Sequence, residues 1–297
     1  MIGLCVQISH VQPQENDLNF EMKIADIPQS VMDNVVIGLQ GFLIPILGQS
    51  KIGEIPELIP VGSGTLVKVG RMHYVLTAAH VWHKAKRFER IHFVLASRAP
   101  SGFWIPRTHI SAKQLWNGES SEWGPDLALL EIPHHYVGTI AAHKAFLNLL
   151  LQKATFKKYP PKTKKGFWAI TGMVGESSIV QHHPEVKTVT ANIICNAWLS
   201  TIQDTRDRQG FDYLHVSANL DLPGLPRSFG GTSGGGLWQI DLSKDTSGVI
   251  SWDGKRHFRG VAFWETEPIG GRLAIRCHGP RSIFQKAWKE WGLPQEE

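Results

Sequence analysis

Residues 230–238 read GGTSGGGLW, with five glycines, one threonine and one serine before the first bulky side chain. Glycine in a regular element costs about 0.5–1 kcal/mol relative to alanine, so such a run is either a linker or a turn whose backbone needs glycine. Segments rich in Val, Ile, Leu and aromatic residues flank the run, which favours the turn. We therefore interpret Ser233 as a side chain that a sharp turn presents.

The composition is that of a globular protein with a weakly basic charge. The chain has 297 residues, of which 42% are apolar and 19% charged, with a net charge of +5. This length allows one large domain or two packed subdomains. The charge is too diffuse to indicate nucleic-acid binding by itself. Three cysteines at wide spacing are not a disulfide framework, which favours a reducing compartment.

The N-terminal region carries no targeting pattern that we recognise. It lacks a basic segment followed by a full apolar core, so we predict no signal peptide. The most apolar early segment, VVIGLQGFLIPILG at 35–48, is too short to cross a bilayer, which needs about 20 apolar residues. We expect a cytoplasmic protein with no membrane binding. Because no phosphate loop or Rossmann fingerprint occurs and the His-His pairs lack ligand partners, we expect no cofactor and no metal.

The pattern along the chain is mostly that of short β segments from about residue 57 onward. Many short strands of this kind are typical of antiparallel barrels or sandwiches. The stretch FKKYPPKTKKG at 156–166 divides the strands into two halves and reads as a connector. We predict an N-terminal extension at 1–55, a first β unit with a trailing helical connector at 56–155, and a second at 156–297. The second unit ends in a helix with the sequence RSIFQKAWKEWGL.

Three polar side chains stand beside apolar strands, and each has an ordinary structural interpretation. His80 follows the run YVLTAA, and Asp126 opens the run LALLEI. Considered alone, His80 is interpreted as a structural histidine and Asp126 as a turn or cap residue. Considered together with Ser233, they have the residue types of a nucleophile, a base and a carboxylate. A serine hydroxyl becomes a nucleophile when a histidine removes its proton and a buried carboxylate orients that histidine.

The segments TAAH, DLALL and GTSGGG, in that order, resemble the motifs of the chymotrypsin/trypsin-like serine peptidases, including the HtrA-type branch. The resemblance covers roughly residues 57–293. It implies an all-β fold of two antiparallel six-stranded Greek-key barrels with a C-terminal helix. It also implies that His80 is the general base and acid, that Asp126 orients it, and that Ser233 is the nucleophile. The backbone N–H groups of Gly231 and Ser233 would form the oxyanion hole.

The chain departs from this family's pattern at the residue before the serine. Secreted members carry an aspartate there that binds a newly formed N-terminal amine. Thr232 cannot form such an ion pair, and we find no typical activation sequence. The resemblance therefore implies regulation by loop ordering or by an activating protein partner.

Substrate-binding residues follow from the same resemblance. Arg227, six residues before Ser233, would lie at the base of the primary pocket and favour an acidic side chain. The alternative is that Arg227 faces solvent or pairs with Asp221. The segment Ala262, Phe263 and Trp264 would supply backbone for a substrate strand, with large aromatics narrowing the cleft.

Taken together, the sequence predicts an intracellular serine endopeptidase that cuts protein or peptide substrates with narrow specificity. A conditional effector, for example a prokaryotic defence or stress protease that waits for a partner, fits the same features. The alternative is a protease-like module that binds a partner and is catalytically silent.

Overall fold

A computed structural model of the chain describes residues 23–52, 55–95, 103–163, 166–183, 185, 188–219, 228–267 and 272–294.

Eight strands in the described N-terminal half form the first sheet. The strands β1–β8 are Leu43–Ile52, Ile55–Val69, Met72–Thr77, Arg90–Phe93, Phe103–Pro106, Ser111–Trp116, Asp126–Glu131 and Leu147–Asn148. They lie in the order β5-β4-β1-β2-β3-β7-β6, with β8 beside β2. All pairings are antiparallel except that of β8 with β2.

Seven strands of the described C-terminal half form the second sheet. The strands β9–β19 of this half are Phe167–Met173, Ile179–His183, Thr188–Asn192, Cys195–Ser200, Ile202–Arg208, Phe211–Asn219, Gly236–Ile240, Ser243–Lys244, Ile250–Ser251, Arg256–Glu265 and Arg272–His278. The sheet order is β12-β9-β15-β18-β19-β14-β13, with β10-β11 and β16-β17 as separate antiparallel pairs. The apolar run of β9 is buried along its whole length, as expected of a strand covered on both faces.

The chain is thus mainly antiparallel β, as the sequence predicts. Within the described residues no ladder joins the edge strands β5 and β6, or β12 and β13, so neither sheet closes into a barrel. The finer expectation of two Greek-key barrels stays a prediction.

The first sheet begins before residue 56, where the sequence analysis placed the start of the first β unit. Strand β1 pairs along its length with β2, from Leu43 opposite Thr65 to Ile52 opposite Ile55. A helix precedes it, with Met32, Val35, Val36 and Leu39 buried on one face. Residues 1–55 were predicted only as an N-terminal extension, because they precede the regular pattern of short β segments and because Pro45 and several glycines lie among their apolar residues. The strand tolerates them because β2 and β4 flank it on both sides.

The described helices are short and lie around the sheets. The α-helices α1–α5 are Gln29–Gln40, Ala79–Ala85, His134–Ala141, Leu149–Lys158 and Trp288–Glu290. A π-helix at Ser282–Ala287 runs directly into α5, so the expected C-terminal helix is present. Three-residue 3-10 turns lie at Ile24–Asp26, Arg107–His109 and Gly175–Ser177. None of the described helices is long and apolar enough to cross a bilayer.

One apolar core joins the two sheets. It contains Leu76 and Leu127 from the first sheet, Trp238 and Phe258 from the second, and Trp288 from the C-terminal helix. All of these side chains are buried. Burying side chains of this size contributes roughly 1.5–3 kcal/mol each. The shared core fixes the two sheets against each other, so residues at their junction keep a defined geometry.

Candidate active site

His80 and Asp126 form a two-point contact at the junction of the sheets. His80 lies in the first turn of α2, and Asp126 is the first residue of β7. The Oδ2 atom of Asp126 lies 2.6 Å from Nδ1 of His80. Its Oδ1 atom accepts a hydrogen bond from the backbone N–H of His80 at 2.9 Å. The carboxylate therefore fixes both the backbone and the ring of the same residue.

The burial of Asp126 differs from that of its partner. Asp126 is 1% exposed, whereas the His80 side chain is 12% exposed. A buried carboxylate is costly unless hydrogen bonds satisfy it, and His80 supplies two. In the described residues the Nε2 atom of His80 has no hydrogen-bond partner. This atom is the one that a general base would use.

His278 supports Asp126 from behind, a contact that no pattern in the sequence predicts. Its Nε2 atom accepts a hydrogen bond from the backbone N–H of Asp126 at 3.0 Å. An accepting Nε2 requires a neutral ring with its proton on Nδ1, and that Nδ1 has no partner in the described residues. Burial lowers the pKa of His278 to about 3. No local signal marks His278, because it lies far from Asp126 in the chain.

A buried arginine holds the segment that precedes Asp126. Arg276, on β19, is 3% exposed, and its Nη2 donates to Oε1 of Glu122 at 2.8 Å. Its Nη1 also donates to the Glu122 carbonyl, and the guanidinium lies 3.7 Å from the centre of the Trp123 ring. Ion pairing together with stacking on an aromatic ring suits arginine better than lysine. The chain therefore enters Asp126 from a restrained segment.

The Ser233 turn adopts the backbone shape that its glycines allow. Gly231 has a φ of +92° and Gly234 a φ of +88°, in the left-handed region that favours glycine. A Cβ atom at Gly234 would lie 1.9 Å from the Ser63 carbonyl oxygen. Alanine there would face both backbone strain and a clash. The run is thus a turn pressed against β2, as the sequence predicts, and not a linker.

Two amides of this turn have no hydrogen-bond partner in the described residues, and they are the two that the sequence predicts for an oxyanion hole. The N–H groups of residues 230, 232, 234, 235 and 236 donate to oxygen atoms of Ser228, Phe229, Ala262, Thr232 and Thr171, respectively. Within the described residues the N–H groups of Gly231 and Ser233 have no partner. Two unpaired donors on one rigid turn are suited to bind an oxyanion without reorganisation.

The direction of these two amides is fixed by the carbonyl groups of the same peptides. The Gly230 carbonyl accepts from the Gly175 N–H at 2.7 Å, and the Thr232 carbonyl accepts from the Gly235 N–H at 2.8 Å. In a trans peptide the N–H and C=O point in opposite directions. Anchoring each carbonyl therefore aims the N–H of the following residue away from the anchor.

Ser233 lies next to the His80 segment. A Cβ atom built on Gly62 would lie 2.6 Å from Val81 Cγ2 and 3.1 Å from the Ser233 carbonyl oxygen. Ser233 and Val81, the residue after His80, therefore both pack against Gly62. The described residues contain no hydrogen bond between Ser233 Oγ and the His80 ring. Catalytic hydrogen bonds are often long before substrate binds, so this geometry is compatible with a serine–histidine pair.

Thr232 occupies a buried position behind the turn. It is 1% exposed, and its hydroxyl donates to the Met173 carbonyl at 3.3 Å. Its Cα and Cγ2 would lie 2.8 Å from a Cβ atom on Gly172, so the two residues pack closely. A threonine hydroxyl anchored to β9 thus precedes Ser233, and it carries no charge that could bind an N-terminal amine.

Two residues of the expected substrate-binding segment, Ala262 and Phe263, lie against the Ser233 turn and His278. Both backbone groups of Ala262 bond within the chain, to Gly235 at 2.9 Å and Gly234 at 2.7 Å. Phe263 is 2% exposed, and its ring stacks on His278 at 4.4 Å. These contacts use backbone and side-chain groups of the segment within the chain. Its role in binding a substrate strand and narrowing a cleft stays a prediction.

Two further expectations complete the predicted site. Trp264 is partly buried and packs against the first-sheet core, opposite Arg276 in the register. Arg227 and its alternative partner Asp221 lie outside the described residues, so the acidic preference stays a prediction.

No protein-family model and no curated protein matches this chain. The case for a function therefore rests on the geometry of the site and on the resemblance of its motifs.

Proposed function

We propose that this protein is a serine endopeptidase with His80, Asp126 and Ser233 as its catalytic triad. One observation carries the proposal: the two amides left free on the Ser233 turn are those of Gly231 and Ser233. The stability of the turn does not require these two N–H groups, rather than others in the turn, to lack a hydrogen-bond partner. The buried His80–Asp126 contact at 2.6 Å supports the same reading.

In the proposed reaction, Oγ of Ser233 attacks a peptide carbonyl while Nε2 of His80 accepts the hydroxyl proton. Asp126 keeps the other ring proton on Nδ1 and stabilises the imidazolium that forms. The N–H groups of Gly231 and Ser233 bind the oxyanion of the tetrahedral intermediate. His80 then gives its proton to the leaving amine. Water, deprotonated by His80, hydrolyses the acyl-serine and restores the hydroxyl.

The proposal extends to features for which the sequence is the main support. These are closure of the two antiparallel sheets into trypsin-like Greek-key barrels, narrow specificity for protein or peptide substrates, and a cytoplasmic location. Activation by a partner or by loop ordering belongs to the same set, because Thr232 cannot bind a new N-terminal amine.

A fluorophosphonate probe tests the proposal, since it phosphonylates only activated serine hydroxyls. We expect the wild type to be labelled and Ser233→Ala to lose the label. The matched control is Ser243→Ala, which removes the hydroxyl of an exposed serine on β16 and should label like the wild type. Loss of an active serine in such a triad costs about 10⁶ in turnover.

Two results would contradict the proposal. Equal labelling of Ser233→Ala and wild type would assign the reactive group to another residue. A folded wild type that is never labelled, even with cell extract added to supply a partner, would favour the catalytically silent binding module.

A further inference from the structure

Ser63, in the middle of β2, uses all of its polar groups at the junction of the two sheets, although it is fully buried. Its backbone N–H donates to the Ser233 carbonyl at 2.8 Å. Its hydroxyl donates to the Gly231 carbonyl at 2.7 Å and accepts from the Met173 N–H at 2.8 Å. Its own carbonyl accepts from the Thr77 hydroxyl at 2.6 Å.

We propose that Ser63 is the positioning residue that sets the oxyanion-binding turn against the His80 segment. This inference rests on the proposed function, because it assigns Ser63 a role in the same reaction. Ser63 touches neither of the two free amides. It acts through the carbonyl groups of Gly231 and Ser233, which lie on either side of Thr232 in the turn.

The hydroxyl of Ser63 controls the orientation of the peptide that links Gly231 to Thr232. Without its donor, the Gly231 carbonyl would be a buried acceptor with no partner, at a cost of about 1–3 kcal/mol. Rotation of that peptide toward another donor relieves the cost. Because Gly231 has few steric limits on rotation, such a change would pull the Thr232 N–H off the Phe229 carbonyl and displace the next peptide, which carries the Ser233 N–H.

The same residue links the turn to the general base. Thr77, which donates to the Ser63 carbonyl, ends β3 three residues before His80. Ser63 therefore joins the serine turn of the second sheet to the strand that delivers His80 from the first. A displacement of about 1 Å between reacting groups can cost roughly 100-fold in rate.

Thr65 provides a matched control on the same strand. It lies two residues further along β2, so its side chain is on the same face. It is 1% exposed, and its Oγ1 has no hydrogen-bond partner in the described residues. The variant Thr65→Val therefore removes a buried hydroxyl that tethers nothing, whereas Ser63→Ala removes one that joins two segments.

Fluorophosphonate kinetics and amide NMR together test the proposal. For Ser63→Ala we expect the maximal labelling rate to fall about 10- to 100-fold with the probe's half-saturation constant within about twofold. The amide shifts of Gly231 and Ser233 should move. Thr65→Val should change neither measurement. The conservative variant Ser63→Thr, which keeps the donor, should recover most of the labelling rate.

The outcomes separate this inference from the proposed function. A Ser63→Ala protein that keeps the wild-type rate and the wild-type amide shifts would overturn the positioning role. Equal loss in Thr65→Val would also overturn it, since any buried hydroxyl change would then suffice. A wild type without labelling would refute the proposed function. In that event the shifts in Ser63→Ala alone would still decide whether Ser63 orders the turn.

Discussion

Asp126 and Asp212 are two buried carboxylates whose hydrogen-bond partners differ in chemical type. Asp126 is 1% exposed and Asp212 is 8% exposed. The Asp126 carboxylate accepts from the backbone N–H of His80, and its other oxygen contacts the His80 ring at 2.6 Å. The Asp212 carboxylate accepts from the backbone N–H groups of Arg281 and Ser282. It also contacts the Ser282 hydroxyl at 2.8 Å and the permanently charged Arg281 guanidinium at 3.7 Å.

The difference lies in whether the partner can change its protonation. Amides and a hydroxyl at the start of the C-terminal helix cannot, so Asp212 contributes stability by satisfying the first amides of that helix. An imidazole can, and its second nitrogen has no hydrogen-bond partner in the described residues. Burial and hydrogen bonding alone therefore do not distinguish a catalytic carboxylate from a structural one.

Among the variants that test this comparison of the two carboxylates, Asp126→Asn has the largest expected effect. The amide oxygen can still accept from the His80 N–H, but the amide NH₂ cannot accept from Nδ1, so the ring adopts the wrong tautomer. We expect the fluorophosphonate labelling rate to fall about 10⁴-fold, with the near-UV circular dichroism of the wild type. A rate within tenfold of wild type would remove Asp126 from the triad.

Asp212→Ala should lower the stability of the protein and leave the labelling rate nearly unchanged. It leaves two amides of the C-terminal helix without their acceptor, although the Ser282 hydroxyl can still donate to the backbone carbonyl of residue 212. The expected cost is about 3 kcal/mol in the free energy of unfolding. Urea denaturation measures this cost, and labelling of the folded fraction should stay within about threefold of wild type. A large loss of labelling at full stability would make Asp212 part of the site.

The buried ring behind Asp126 should make stability depend on pH. Burial lowers the pKa of His278 to about 3, whereas the unfolded chain takes up this proton near pH 6.5. Stability from His278 is thus complete above pH 6.5 and is lost as the pH falls toward 3. From pH 7 to pH 5 we expect wild type to lose about 2 kcal/mol more than His278→Gln in urea denaturation. Equal losses would show that His278 titrates normally.

The smallest expected effect is on the labelling rate when the Nε2 acceptor of His278 for the Asp126 N–H is removed. His278→Leu removes the partner of the Asp126 N–H and should lower the labelling rate about tenfold at neutral pH, through displacement of the carboxylate. His278→Gln can place an amide oxygen near the position of Nε2 and should keep the rate within about threefold. Equal rates in both variants would limit His278 to a packing role.

The parts of the molecule that could be anticipated were those with a local cause. The apolar runs of β7 and β9 predicted buried strands, and the glycines around Ser233 predicted a turn. Helix α1 and strand β1 were missed, because pairing with β2 and β4 overrides the Pro45 and glycine interruptions. The pairing of Ala262 with the Ser233 turn and the packing of Phe263 on His278 have no mark in the sequence, because both depend on contacts with distant segments.

The sequence by itself determined which groups could do chemistry: a serine among glycines, a histidine after two alanines and an aspartate at the head of an apolar strand. Only the tertiary structure decided which groups are free to act. The N–H groups of Gly231 and Ser233 have no partner in the described residues because their neighbours bond to Phe229, Ala262, Thr232 and Thr171, and because Gly175 and Gly235 hold the carbonyl groups of the same two peptides. Ala262, Thr171 and Gly175 come from distant strands and loops, so this arrangement of the turn forms only when those segments have packed against it.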